Sequence, residues 1–128
     1  MPGGRGRGTP GNARARASRV ARRLHAGLTP LFHEGFEQPT FPEHSEGPPY
    51  AVNVGAYLPA AEPTAAWIVL VAHYDHLGVR SGRMYPGADD NAGAVAMLLA
   101  LGDALGRARP PLRRNVVLLF PDAEDPAS

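Results

Sequence analysis

The chain has 128 residues, the size of one small domain, and its 44% hydrophobic and 20% charged residues exclude a disordered chain poor in apolar side chains. Cysteine is absent, which excludes disulfides and thiolate metal sites, leaves His and carboxylate to hold any metal, and says little about compartment. Net charge is +1, and every one of the 13 basic residues is Arg, a bias that accompanies the abundant Ala, Gly and Pro of a GC-rich coding sequence.

Residues 1–10 (MPGGRGRGTP) are rich in Gly, Arg and Pro and read as a flexible N-terminus ahead of a single domain over 11–128. Arg5, Arg7, Arg14, Arg16, Arg19, Arg22 and Arg23 fall within residues 1–23 with no acid among them, whereas all 12 acids follow. A basic arm of this kind can contact nucleic acid or anionic lipid. No aromatic platform or binding motif accompanies it, so neither nucleic acid nor membrane is expected as a partner. No apolar run approaches the roughly 20 residues that span a bilayer. Positive charge near the start has no apolar stretch behind it, so no secretory signal is visible.

A helix is predicted over about 11–26, where Ala17, Val20, Ala21 and Leu24 fall at helical spacing before Gly27. Residues 28–50 lack periodicity and read as irregular, with one short strand near Phe36. Two apolar runs, 51–58 (AVNVGAYL) and 67–72 (WIVLVA), suit strands. The second has no polar member, as expected of a strand buried on both faces. A loop over 74–90 leads to a helix at about 91–106, with Val95, Leu98, Leu99, Gly102 and Leu105 forming its apolar stripe. Residues 115–120 (NVVLLF) make a further apolar strand. Strand, helix and strand in this order read as a βαβ unit with parallel strands and a right-handed crossover, giving an α/β fold class.

Sites in open α/β sheets form beyond the carboxyl ends of the strands, and three polar clusters fall there. His73, Tyr74, Asp75 and His76 follow the strand 67–72. Asp89, Asp90 and Asn91 precede the helix. Asp122, Glu124 and Asp125 follow the strand 115–120. Taken singly, each has a plain explanation: a polar loop residue, an N-cap, a solvated acid. Their convergence on one sheet edge is better explained by a divalent cation, since zinc accepts imidazole nitrogen and carboxylate oxygen and keeps a position for water in catalytic sites. A carboxylate can also bridge two metals, and an unbound acid beside a ligand, as Glu124 stands beside Asp125, can act as general base.

The segments His73-Tyr74-Asp75-His76-Leu77-Gly78 and Tyr85-Pro86-Gly87-Ala88-Asp89-Asp90-Asn91-Ala92-Gly93 closely resemble the metal-binding core of M28 peptidases. Asp122-Ala123-Glu124-Asp125 is similar to that family's Asp-Ala-Glu-Glu segment. Thr9-Pro10-Gly11-Asn12 and Phe36-Glu37-Gln38-Pro39 resemble the start of such domains. The resemblance implies a three-layer α/β sandwich with a mixed, mostly parallel sheet of the zinc-dependent exopeptidase type, cut after about half the domain. It implies two zinc ions per complete domain, a peptide substrate, and an aminopeptidase-like hydrolysis in which a zinc-bound water attacks a polarised carbonyl.

Carried over by position, His73 would bind one zinc and Asp90 would bridge both, Asp75 would orient His73, and Glu124 would be the general base. Asp125 would bind the second zinc where the family has glutamate, although its side chain is shorter by roughly 1.5 Å. His76 would line the site without binding metal. Two further ligands of the family, an acid and a histidine, would fall beyond Ser128, so the fragment alone is expected to be inactive and poorly stable. The family suggests export. Two alternatives remain on the same fold: a single-zinc aminoacyltransferase resembling glutaminyl cyclases, and a non-catalytic binding module.

Overall fold

Apolar and β-branched residues concentrate in three runs, and these runs build the sheet. The computed structural model describes residues 4–16, 28–41, 43, 47–107 and 111–124. In chain order its elements are α1 (Pro10–Ala15), β1 (Thr29–Pro30), β2 (Glu37–Thr40), β3 (Ala51–Leu58), β4 (Trp67–Val71), β5 (Gly78–Arg80), β6 (Arg83–Tyr85), α2 (Ala94–Gly106) and β7 (Asn115–Phe120). A five-stranded sheet has the order β1-β3-β7-β4, with β2 also paired to β3, while β5 and β6 form a separate hairpin.

The sheet is mixed. Strand β3 is antiparallel to β1, β2 and β7, with Val54 opposite Phe120 and Leu58 opposite Val116. Strand β4 runs parallel to β7, with Ile68 opposite Val116 and Val71 opposite Leu119. Because α2 lies between these two strands in the chain, the β4–α2–β7 segment forms the expected βαβ unit.

Helix α2 presents Leu98, Leu99 and Gly102 as its buried stripe, with Val95 and Leu105 packed beside them. A Cβ at Gly102 would stand 2.5 Å from Leu118 Cδ1, so glycine is what lets the helix rest closely on β7. Val54, Ala56 and Leu58 of β3 meet Val116, Leu118 and Phe120 of β7 beneath this stripe. Leu118 and Phe120 are fully buried, which identifies β7 as the centre of the core.

Several expectations change in detail. Helix α1 ends at Ala15 with Arg16 as its C-cap, and residues 17–26 of the expected helix lie outside the described residues. Two short strands, β1 and β2, replace the single one expected near Phe36, and both use the same edge of β3. The loop 74–90 contains the β5–β6 hairpin, turned by Ser81 and Gly82.

The later helix starts at Ala94 rather than 91. Residues Ala88–Gly93 form a wide irregular turn, with Asp90 at φ −106°, ψ 93° and a cis Asp90–Asn91 peptide. No side chain caps α2, so Asp89, Asp90 and Asn91 do not serve as its N-cap. The apolar strand 67–72, expected to be buried on both faces, is instead an edge. Trp67 is 52% exposed, Val69 55% and Val71 58%, because among the described residues β4 pairs only with β7 and its outer side meets no further strand.

Candidate functional site

The polypeptide leaving β4 stays beside β7. Ala72 N donates to Leu119 O at 3.0 Å and Tyr74 N to Pro121 O at 3.1 Å. Tyr74 roots this segment in the core, its hydroxyl donating to Val52 O at 2.7 Å. Burial raises the Tyr74 phenol far above the ordinary tyrosine range, and the nearby Asp122 carboxylate adds to the shift, so Tyr74 stays a neutral donor. His73 and Asp75, either side of it, face the crevice at the strand ends.

Five of the residues singled out in the sequence come together there. His73 Nε2 lies 3.2 Å from Asp90 Oδ1 and 3.6 Å from Glu124 Oε2, while His73 Nδ1 faces Asp75 Oδ1 at 3.4 Å. His76 Nδ1 stands 3.6 Å from the other oxygen of Asp90. Asp75 is fully buried, and its Oδ1 also accepts from Glu124 N at 3.4 Å. The carboxylates of Asp90 and Glu124 are open to solvent, with side chains 63% and 60% exposed. One imidazole thus sits among three carboxylates, one buried behind it and two in front. His73 Nδ1 is buried and makes no hydrogen bond to Asp75 at this separation. Asp125, the expected second-metal residue, lies outside the described residues.

The donors suit zinc in kind and spacing. Two atoms bound tetrahedrally at about 2.0–2.1 Å stand about 3.4 Å apart, close to the separations around His73 Nε2. They do not suffice in number: among the described residues no group of three His, Asp or Glu is arranged to hold a metal ion. His73 and Asp90 would therefore supply part of a donor set that needs further residues.

Asp122 has another task. It is 8% exposed, and its carboxylate accepts from Asn12 Nδ2 at 2.9 Å, Val52 N at 3.0 Å and Ala123 N at 3.0 Å. Its own amide donates to Asn53 Oδ1 at 3.1 Å. This acid pins α1 and the start of β3 to the end of β7, two residues before Glu124. Nothing local in the sequence separates Asp122 from its acidic neighbours; its position directly after an apolar strand and a proline is the only hint.

Similar folds occur among solved structures. Glutaminyl cyclase from Porphyromonas gingivalis superposes with a TM-score of 0.72 at 23% identity, covering 98% of this chain and 44% of that one. A Zn-dependent exopeptidase from Parabacteroides distasonis gives 0.65 at 21% identity, covering 98% and 43%. A leucine aminopeptidase precursor from Bacteroides thetaiotaomicron gives 0.68 at 22% identity, covering 95% and 42%. The chain therefore spans less than half the length of these proteins, with which it shares a fold. The sequence model described as Peptidase family M28 matches residues 53–127, and the chain belongs to that family. Comparison with curated proteins gave no match.

Proposed function

We propose that this chain carries the first metal-binding portion of an M28-type zinc exopeptidase, acting as an aminopeptidase on the N-terminal bond of a peptide. The observation that carries the reading is the meeting of His73, Asp90 and Glu124 at the open ends of β4 and β7, with buried Asp75 behind. His73 and Asp90 would hold zinc, with Asp90 shared between two ions and Asp125 serving the second. When bound, zinc supplies Lewis acidity, polarising a carbonyl and lowering the pKa of water.

The chain's own residues account for the rest. Asp75 stands 3.4 Å behind His73 Nδ1, where a small approach would fix the ring, and it accepts from the Glu124 amide, so that carboxylate and imidazole share one reference point. Glu124, solvent-exposed and 3.6 Å from His73 Nε2, is free to take a proton from water and return it to a leaving amine.

The glutaminyl cyclases among the similar structures favour a second reading, intramolecular aminoacyl transfer with one zinc. Both readings are tested on this chain and on any longer product of its reading frame. Zinc content after dialysis, aminoacyl-anilide hydrolysis and cyclisation of an N-terminal glutamine peptide are measured together. Two zincs with hydrolysis support the peptidase; one zinc with cyclisation supports the second reading. In the active form, Glu124→Gln should retain zinc while turnover falls by at least about 100-fold, the lower range for general acid–base catalysis. Unchanged turnover refutes the assignment of Glu124.

A further inference from the structure

We propose that Arg5 is a positioning residue for the two loops that carry His73 and Asp90, an inference that rests on the zinc reading for its functional consequence. The Arg5 guanidinium donates from Nη2 to Gly87 O at 2.6 Å, a short charge-assisted bond of the stronger kind. The same carbonyl accepts from Ala92 N at 3.2 Å, so Gly87 O closes the irregular turn in which Asp90 stands. From the other side of Arg5, the backbone carbonyl accepts from His76 N at 3.1 Å. One residue thus ties the segment after β4 to the segment before α2.

The surroundings leave this tie little freedom. Gly87 has φ +60°, and a Cβ there would clash with Asp90 O, stand 2.6 Å from His76 Cγ and 2.7 Å from Arg5 Nη2. A Cβ on Gly4 would lie 2.8 Å from Gly78 Cα, and one on Gly78 would lie 2.8 Å from Gly6 Cα, so the N-terminal segment lies backbone against backbone along the 76–78 loop. Thr9 fastens the segment to α1, its hydroxyl donating to Gly6 O at 2.6 Å and accepting from Asn12 N at 3.2 Å. Asn12 then reaches Asp122 at the end of β7. The course from Gly4 to Asn12 therefore touches all three segments from which the site is built, and Arg5 is the side chain that contacts the Asp90 turn.

Lysine cannot replace this role fully, because a planar fork holds a carbonyl in a fixed direction and an ammonium does not. The Asp90 carboxylate projects into solvent, so its direction depends on the backbone of the turn.

The test compares Arg5→Met, Arg5→Lys and the control Arg7→Met, whose parent side chain lies over the Tyr50 ring on the same segment. Amide exchange over residues 87–93 is measured in the metal-free protein, and zinc affinity by competition with a chelating dye. Arg5→Met is expected to speed exchange within 87–93 above all, with zinc binding weakened about tenfold, the low end for residues that orient ligands. Arg5→Lys should recover part of both, and Arg7→Met should change neither. Wild-type exchange and affinity in Arg5→Met would overturn the proposal, as would an equal rise in exchange throughout the chain. Faster exchange confined to 87–93 in Arg5→Met, together with a wild type that binds no zinc, would uphold the positioning role and sink the metal reading instead.

Discussion

Asp122→Asn is the substitution whose cost follows most directly from the structure. It changes one oxygen to an amide group while leaving the shape of the side chain intact. Oδ1 of Asp122 serves Asn12 Nδ2 and Ala123 N, and Oδ2 serves Val52 N. Whichever way the new amide is turned it brings a donor against a donor, and the cheaper orientation abandons Val52 N. A buried donor left without a partner costs about 1–3 kcal/mol, and a hydrogen bond to a charged group is worth about 1.5–3 kcal/mol, so the loss is about 2–3 kcal/mol. Domains of ordinary stability have about 5–15 kcal/mol in total. At about 4 °C per kcal/mol for a chain of this size, the melting midpoint should drop by about 8–12 °C in circular dichroism. Asp122→Ala, which abandons every donor, should cost about 3–5 kcal/mol. A double-mutant cycle with Asn12→Ala should show a coupling of about 1 kcal/mol. An Asp122→Asn protein melting within about 2 °C of wild type would refute the reasoning, because the network would then contribute nothing.

Two further outcomes are expected. Folding raises the Tyr74 phenol, by burial first and Asp122 second, so its contribution is complete below about pH 10, the unfolded tyrosine value, and is lost as pH climbs toward the folded value. Ultraviolet titration curves of wild type and Tyr74→Phe should therefore coincide until alkaline unfolding, and separation while the protein is still folded would contradict the burial argument. Val71→Lys on the exposed edge strand should change stability by no more than about 0.5 kcal/mol. It should lower self-association in sedimentation, and unchanged association would show that β4 is not the adhesive surface.

The main strands were legible because their apolar runs are long enough to stand out. β3 falls at 51–58 as read, β7 at 115–120, and β4 one residue short of its expected end. The stripe of α2 was equally plain, since Leu98, Leu99 and Gly102 repeat at helical spacing. Strands β5 and β6 have three residues each, too few for any period to show. The start of α2 was misplaced because helix-compatible residues continue backward through Asn91, while the turn at Ala88–Gly93 answers to contacts with Arg5 and His76. Exposure of β4 was illegible for a different reason: an apolar run reports what a strand can bury, not whether a neighbour is present to bury it. The convergence of His73, Asp75, Asp90 and Glu124 was legible from the motifs and from their placement after strands or, for Asp90, ahead of a helix. Arg5 was not, because its composition reads as linker and its ties run through backbone carbonyls.

Strand β7 has no polar member between Val116 and Phe120, and this uniformity leaves its alignment unspecified by hydrophobic pattern. A shift by one residue would still set apolar side chains on both faces, the circumstance in which strands slip. The polar groups at its two ends remove that freedom. At the start, Asn115 accepts from Ala60 N and donates to Thr64 O, both at 3.0 Å. At the finish, Asp122 holds Val52 N, and Glu124 N reaches Asp75. A slip would move Glu124 by about 3.3 Å and break the pins at both ends together. Asp75 thus checks that β4 and β7 are in step, and the carboxylate that stands 3.4 Å behind His73 is also a vernier for the sheet.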